Sequence, residues 1–313
     1  MARPRTAFVF PGLNGAGHTG EHMPLLESAC VRDHWRVCQH AFAGRPSFAE
    51  FDAALHRGDE LPHAPAAWPY RALAVTALQL GTAQELERRG EHADWLCGYS
   101  VGDLARSCHA GALSFAALVA FAAALPELPL AAGASAAVVA PSAAVLDDLV
   151  SVLVRTPVAA SRLSRQFLML AGAAGDVAAA LATCRRWPVR TQALAGCPLH
   201  APQQRCLATL LFALAGSAAV QSPRRAMFST LWGRAVAPGD DLRAEFAANV
   251  CAPIDFAAAV ASLHERHGVT RFLDLGPGRH AARFVRHHGA AIESHSAAAL
   301  LTGLVPAGGR HCA

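Results

Sequence analysis

Two glycines flank a serine in WLCGYSVGDL, residues 95–104, directly after a short apolar run and directly before a stretch with helical periodicity. In such a G-x-S-x-G, the small residues at 98 and 102 let a strand reverse into a helix so sharply that the Ser100 hydroxyl stands exposed at the tip. There the helix N-terminus and neighbouring amides can stabilise a developing oxyanion. The chemistry this implies is nucleophilic acyl transfer, and a serine alcohol needs a base to perform it. Among the 16 histidines, His200 in ALAGCPLHAP stands where a strand would return toward the sheet that carries Ser100. Spacing alone does not bring the two together. A second glycine pattern, GAGHTG at 15–20, spells the dinucleotide fingerprint G-x-G-x-x-G. It fits poorly, because the preceding strand ends in Pro11-Gly12 and no strand ending in an acid follows about twenty residues on.

The elements that would position these residues alternate. TAFVF reads as a buried strand, PAAWPYRALAVTALQLGTAQELERRG as an amphipathic helix stopping at Arg88-Arg89-Gly90, DWLCGYS as strand and turn, and VGDLARSCHAGAL as the next helix. Between about Pro129 and Gly196 the order becomes strand, helix, strand, helix, strand, a compact split β-α-β layout. It is read as a small subdomain, 129–196, inserted between the two parts, 1–128 and 197–313, of a large catalytic domain. FSTLWGRAV then reads as a short strand, PIDFAAAVASLHERHG as a helix, and VTRFLDLGPG as a strand closing in a Gly-Pro-Gly turn. The alternation predicts an α/β fold with a mainly parallel central sheet.

Composition narrows the function classes. Of 313 residues, 53% are hydrophobic and only 16% charged, which favours a folded soluble chain over disorder. The Ala-rich stretch 115–140 is broken by Pro126, Glu127 and Pro129, so no membrane span is expected, and the N-terminus lacks the pattern of a signal peptide. Nine scattered cysteines form no C-x-x-C pair and no zinc spacing, so the expectation is a metal-free protein with reduced thiols in the cytoplasm. Every basic side chain is arginine, and the net charge of +4 carries no stripe that would hold a nucleic acid.

Five segments, FVFPGLNGAG, GYSVGDL, CPLHAP, NVCAPIDF and FLDLGPG, occur in an order and spacing that resembles the malonyl-CoA:acyl carrier protein transacylase family, which includes polyketide-synthase acyltransferase domains. The resemblance spans roughly residues 6 to 290 and implies an α/β-hydrolase-like large domain with a ferredoxin-like insertion. It implies that Ser100 is acylated and that His200 is general base and acid. Backbone amides of Leu13 and Val101 would form the oxyanion hole, and the Asn249 carbonyl would orient the histidine. A carbonyl can replace the third triad carboxylate because thioesters are already activated. No tightly bound cofactor is implied; the substrates would be acyl-CoA or acyl-phosphopantetheine, and the protein partner an acyl carrier protein.

Departures from the family pattern concern the acyl pocket. The glutamine of the family's FPGQ is Leu13 here, the histidine of its GHS is Tyr99, and the arginine that grips a malonyl carboxylate, twenty-five residues past the nucleophile, is Leu125. Burying a carboxylate against leucine costs several kcal/mol, so malonyl is disfavoured and an acyl group without a free carboxylate is expected. Leu199, before the histidine, adds to an apolar pocket. Arg106 is close in sequence but six residues along the elbow helix, which directs it away from Ser100. The alternatives are an acyl-carrier-protein hydrolase of proofreading type and a malonyl transferase with a relocated carboxylate partner. An acidic carrier protein would meet an arginine face, for which the candidates are Arg162, Arg165, Arg185, Arg186, Arg283 and Arg286.

Overall fold

The first strand, β1 (Arg5–Phe10), is buried from its second residue to its last, the mark of a strand covered on both faces. The computed structural model describes residues 3–13, 20–62, 64–125, 128–194, 198–216 and 219–302. The GAGHTG loop up to residue 19 and the expected boundary at 196/197 therefore lie outside the described residues. In chain order the other strands are β2 (Trp95–Gly98), β3 (Ala134–Val139), β4 (Ala159–Arg162), β5 (Phe167–Gly172), β6 (Arg190–Leu194), β7 (Met227–Ser229), β8 (Arg234–Ala235), β9 (Val269–Asp274) and β10 (Glu293–Ser296).

Six strands form one sheet in the order β10-β9-β1-β2-β7-β8, parallel except for the terminal β7–β8 hairpin. One face packs Phe8, Phe10 and Leu96 against helices Ala29–Ala41 and Trp68–Arg88. The other packs Val9, Cys97 and Phe272 against helix Phe256–His267. A second sheet, β4-β5-β3-β6, is antiparallel throughout and packs onto helices Ala143–Leu153 and Ala174–Cys184, giving the ferredoxin-like β-α-β-β-α-β order. The chain is an α/β protein with a large, mostly parallel domain and a small subdomain.

Three readings from sequence change. The small subdomain has a fourth strand, β4, whose Ala-Ala-Ser-Arg composition carries no strand pattern and which is held by pairing to β5. FSTLWGRAV is not one strand but a hairpin turning at Gly233, φ 66°. Helix Trp68–Arg88 is not amphipathic: every residue from Ala72 to Ala83 is buried, because the sheet and helix Ala29–Ala41 enclose it, and a Cβ at Gly81 would collide with Val31. Helices Ala29–Ala41 and Pro46–Arg57 were not anticipated from sequence at all.

Candidate active site

Both segments that meet at Ser100 leave the carboxyl ends of adjacent parallel strands, where α/β sheets form their binding crevices. After β2, the Tyr99 amide donates to the Phe10 carbonyl (3.1 Å), and the amides of Gly102 and Asp103 donate back to the carbonyls of Tyr99 and Ser100 (3.1 and 3.0 Å). The turn closes at once into helix Gly102–His109. A side chain at Gly102 would strike the Phe10 carbonyl, so glycine is required for the strand to come this close. The loop after β1 lies on Ser100 itself, since a Cβ on Gly12 would come within 2.8 Å of the Ser100 Cβ. The buried Gln79 amide donates to the Pro11 carbonyl at 2.6 Å and pins that loop.

Ser100 (φ 57°) and His200 (φ 62°) are the two non-glycine residues with left-handed backbone among the described residues. Such conformations cost about 1–3 kcal/mol each and persist where surrounding structure enforces them. Here that structure is visible. The His200 amide donates to the Val250 carbonyl at 2.8 Å. Gln204, fully buried, accepts from the Ala131 amide and donates to the Ala131 carbonyl, both at 3.0 Å, tying the entry of the small subdomain to the segment that carries the histidine. The result is a hydrogen bond of 2.8 Å between His200 Nε2 and Ser100 Oγ, 100 residues apart in sequence.

Burial drives the His200 pKa down to about 4, against the opposing pull of the Asn249 and Ala252 carbonyls, which favour the charged ring. Nδ1 is buried and makes no hydrogen bond of good geometry, so these carbonyls act on the ring electrostatically. A base must be neutral to accept a proton. Because the folded pKa lies below the ordinary value of 6.5, acylation of Ser100 should be flat from about pH 5 upward and fall about tenfold per unit below pH 4. A stopped-flow pH profile with an uncharged acyl thioester checks this, and an inflection near 6.5 would mean that the imidazole is solvated.

Behind the elbow lies a buried charge network that sequence reading missed. Arg106, wholly inaccessible, donates to Glu245 Oε2 (2.6 Å) and to the Phe228 carbonyl (2.7 Å), and stands 3.2 Å from Asp103 Oδ1. The Asn249 side chain donates to Asp103 Oδ2 at 2.7 Å. The residue whose carbonyl acts on His200 is thus anchored to the nucleophile's own helix. Burial, eased by Arg106, raises the Asp103 carboxyl to about 7. The only sequence signal was the i,i+3 spacing of Asp103 and Arg106; their partners are about 140 residues away.

A cavity opens beside Ser100, lined mainly by apolar side chains that include Leu104, Leu118, Phe121, Leu199, Phe246 and Val250. Leu199 lies where expected. Tyr99 does not: its ring packs 4.8 Å from Phe256 on the opposite face of the sheet, beside Cys97, because successive residues leaving a strand point to opposite sides. Leu125 does not line the cavity either, but joins the neighbouring cluster around Leu207 and Leu211. Arg106 stays out of it, as its place on the helix implied, yet one arginine does line it: Arg243, two of whose nitrogens bond Asp241 at 2.9 and 3.1 Å. Leu13 packs against the cluster of Ala72, Val75 and Val101, Val101 lines the cavity, and among the described residues the Val101 amide has no hydrogen-bond partner.

Of the six arginines considered for docking, Arg162 is tied to Asp147 at 2.6 Å, and it and Arg165 gather near His288. Arg286 stands by the adjacent His287, which bonds Ser164 at 2.8 Å. Arg185, Arg186 and Arg283 are exposed, and among the described residues no hydrogen bond or ion pair joins them to that group. Among the described residues, no cluster of His, Cys, Asp or Glu could hold a metal, and no helix is long and apolar enough to cross a membrane.

No protein-family model and no curated protein sequence matches the chain. Solved structures do. The malonyl-CoA:acyl carrier protein transacylase of Xanthomonas oryzae pv. oryzae superposes with a TM-score of 0.78 at 20% identity, covering 97% of this chain and 98% of that one. This is the fold of the malonyl-CoA:acyl carrier protein transacylases. The acyltransferase domain from module 8 of the salinomycin polyketide synthase gives 0.77 at 23% identity, covering 96% of this chain and 74% of that one. A malonyl-transacylase solved in complex with its type II polyketide synthase acyl-carrier protein gives 0.77 at 17% identity, covering 93% and 95%. At these identities the transacylase likeness establishes the architecture, and the chemistry rests on the site.

Proposed function

We propose that the protein is an acyltransferase that moves an acyl group from CoA or a carrier protein to the phosphopantetheine thiol of an acyl carrier protein through an acyl-Ser100 intermediate. The observation that carries this reading is the 2.8 Å contact of His200 Nε2 with Ser100 Oγ, made by two residues held in strained backbone at the mouth of an apolar cavity. Ser100 Oγ attacks the thioester carbonyl carbon while its proton passes to His200 Nε2. In this reading the oxyanion is met by the Val101 amide at the helix start, which has no partner among the described residues, and by the Leu13 amide; each such donor is worth about 3 kcal/mol of barrier. Collapse expels the thiolate, which takes the proton back from the imidazolium. A second thiol then reverses the sequence, and the Asn249 carbonyl steadies the cationic ring in both directions.

Intact-mass spectrometry after exposure to a panel of acyl thioesters tests the reading. An adduct that persists until a carrier thiol is added supports transfer; rapid loss to water supports the hydrolase alternative. Arg243 favours one further reading, a malonyl transferase whose carboxylate partner has moved to the helix Leu242–Asn249, but its guanidinium is committed to Asp241. For the carrier protein, Arg185 and Arg186 are the exposed pair at the end of helix Ala174–Cys184. Changing both to glutamate should lower the rate with acyl-carrier protein about tenfold relative to a small acyl thioester, through lost electrostatic steering. Equal slowing of both would reject docking there.

A further inference from the structure

Five residues of the segment that carries Ser100 line the cavity: Ser100, Val101, Asp103, Leu104 and Ser107. Leu104 and Ser107 lie one turn apart on helix Gly102–His109, so the space runs from Ser100 along that helix for roughly 10 Å at a rise of about 1.5 Å per residue. Leu118 and Phe121 from helix Phe115–Ala124 also line it, as does Val220, which the hydrogen bond from the Gln221 amide to the Ala112 carbonyl sets beside the far end of helix Gly102–His109. An extended chain advances roughly 3.8 Å for every three bonds, so the space matches about eight bonds.

The walls also carry a charge preference. Asp103 and Glu245 border the cavity, but Asp103 Oδ1 and Glu245 Oε1 are covered, and the surface presented to a ligand is mainly apolar. Beneath that surface the Arg106 guanidinium is wholly buried and bonded to Glu245 and the Phe228 carbonyl, so it is not offered to a ligand's carboxylate. Arg243, which among the described residues is the arginine that lines the cavity, is paired through two nitrogens with Asp241.

From this we infer that the acyl group is an uncharged aliphatic chain of up to about eight carbons, lying along helix Gly102–His109 from Ser100 toward Val220. The inference rests on the acyltransferase reading of Ser100 and specifies its substrate class.

The test compares rates of Ser100 adduct formation from acetyl-, butanoyl-, hexanoyl-, octanoyl-, dodecanoyl- and malonyl-CoA, read by intact mass on the full chain. Rates should climb up to about fourfold per added methylene from acetyl to octanoyl, the gain for burying each carbon, and stop climbing by dodecanoyl. Malonyl should be slower than butanoyl. Val220→Phe, which narrows the far end at a half-buried position, should lower the octanoyl-to-acetyl ratio at least tenfold. Rates independent of length, malonyl as the fastest donor, or an unchanged ratio in Val220→Phe would each overturn the inference and leave the acyltransferase reading standing. No adduct from any thioester would overturn both.

Discussion

Ser100→Ala is expected to abolish the covalent adduct from every acyl thioester and to lower turnover by at least four orders of magnitude, with the thermal midpoint little changed. The size follows from the proposed role, in which the hydroxyl is the atom that forms the new bond and nothing else at the elbow can replace it. In serine enzymes, loss of either member of a nucleophile and base pair removes nearly all of the catalysis that the pair provides, because the two act as a unit. His200→Ala should therefore cost almost as much as Ser100→Ala, and the double variant little more than either. The 2.8 Å contact makes this non-additivity a sharp test. Single-turnover kinetics with the double-mutant cycle would measure it, and additive losses would mean that the two side chains work independently.

Arg106→Met is expected to destabilise the fold by about 3–5 kcal/mol, a fall of about 10 °C in the thermal midpoint. The guanidinium is fully buried and is the sole cation in contact with the Asp103 and Glu245 carboxylates among the described residues. Removing it leaves two desolvated acids beside one another, and that uncompensated charge, rather than loss of the attraction itself, makes the change severe. The companion variant separates these causes. In Arg106→Met with Glu245→Gln, only Asp103 retains a titrating carboxyl, already raised to about 7 and able to protonate, so much of the loss should be recovered. Denaturant unfolding of the single and double variants is the measurement; a shift of less than 2 kcal/mol in the single variant would show that water or local rearrangement shields the acids.

Much of the site was legible because its signals are local. The glycines at 98 and 102 and the apolar run before them encode the elbow, whose geometry needs only neighbouring residues and the strand beside it. The β-α alternation encoded the parallel sheet, since a strand buried on both faces reads as a continuous apolar run. Tyr99 and Leu125 went astray for a related reason: aligned position says which residue occupies a slot, but orientation at the end of a strand or helix decides what it touches. Helix Trp68–Arg88 misled through its apparent amphipathicity, because a helix enclosed by a sheet and another helix tolerates small and polar residues all round.

By itself, the sequence determined the turn that carries Ser100, the α/β alternation with its mainly parallel sheet and the apolar character of Leu199 beside His200, all properties set within a few residues of chain. The tertiary structure alone decided that His200 reaches Ser100, that Asn249 is tied to Asp103, and that Arg106 is spent on Glu245 rather than offered to a substrate. Those contacts join residues 100 to 146 positions apart, and their strength comes from burial, which no local pattern records: only when the chain closes does water leave, so that a histidine stays neutral and a guanidinium is held between two carboxylates.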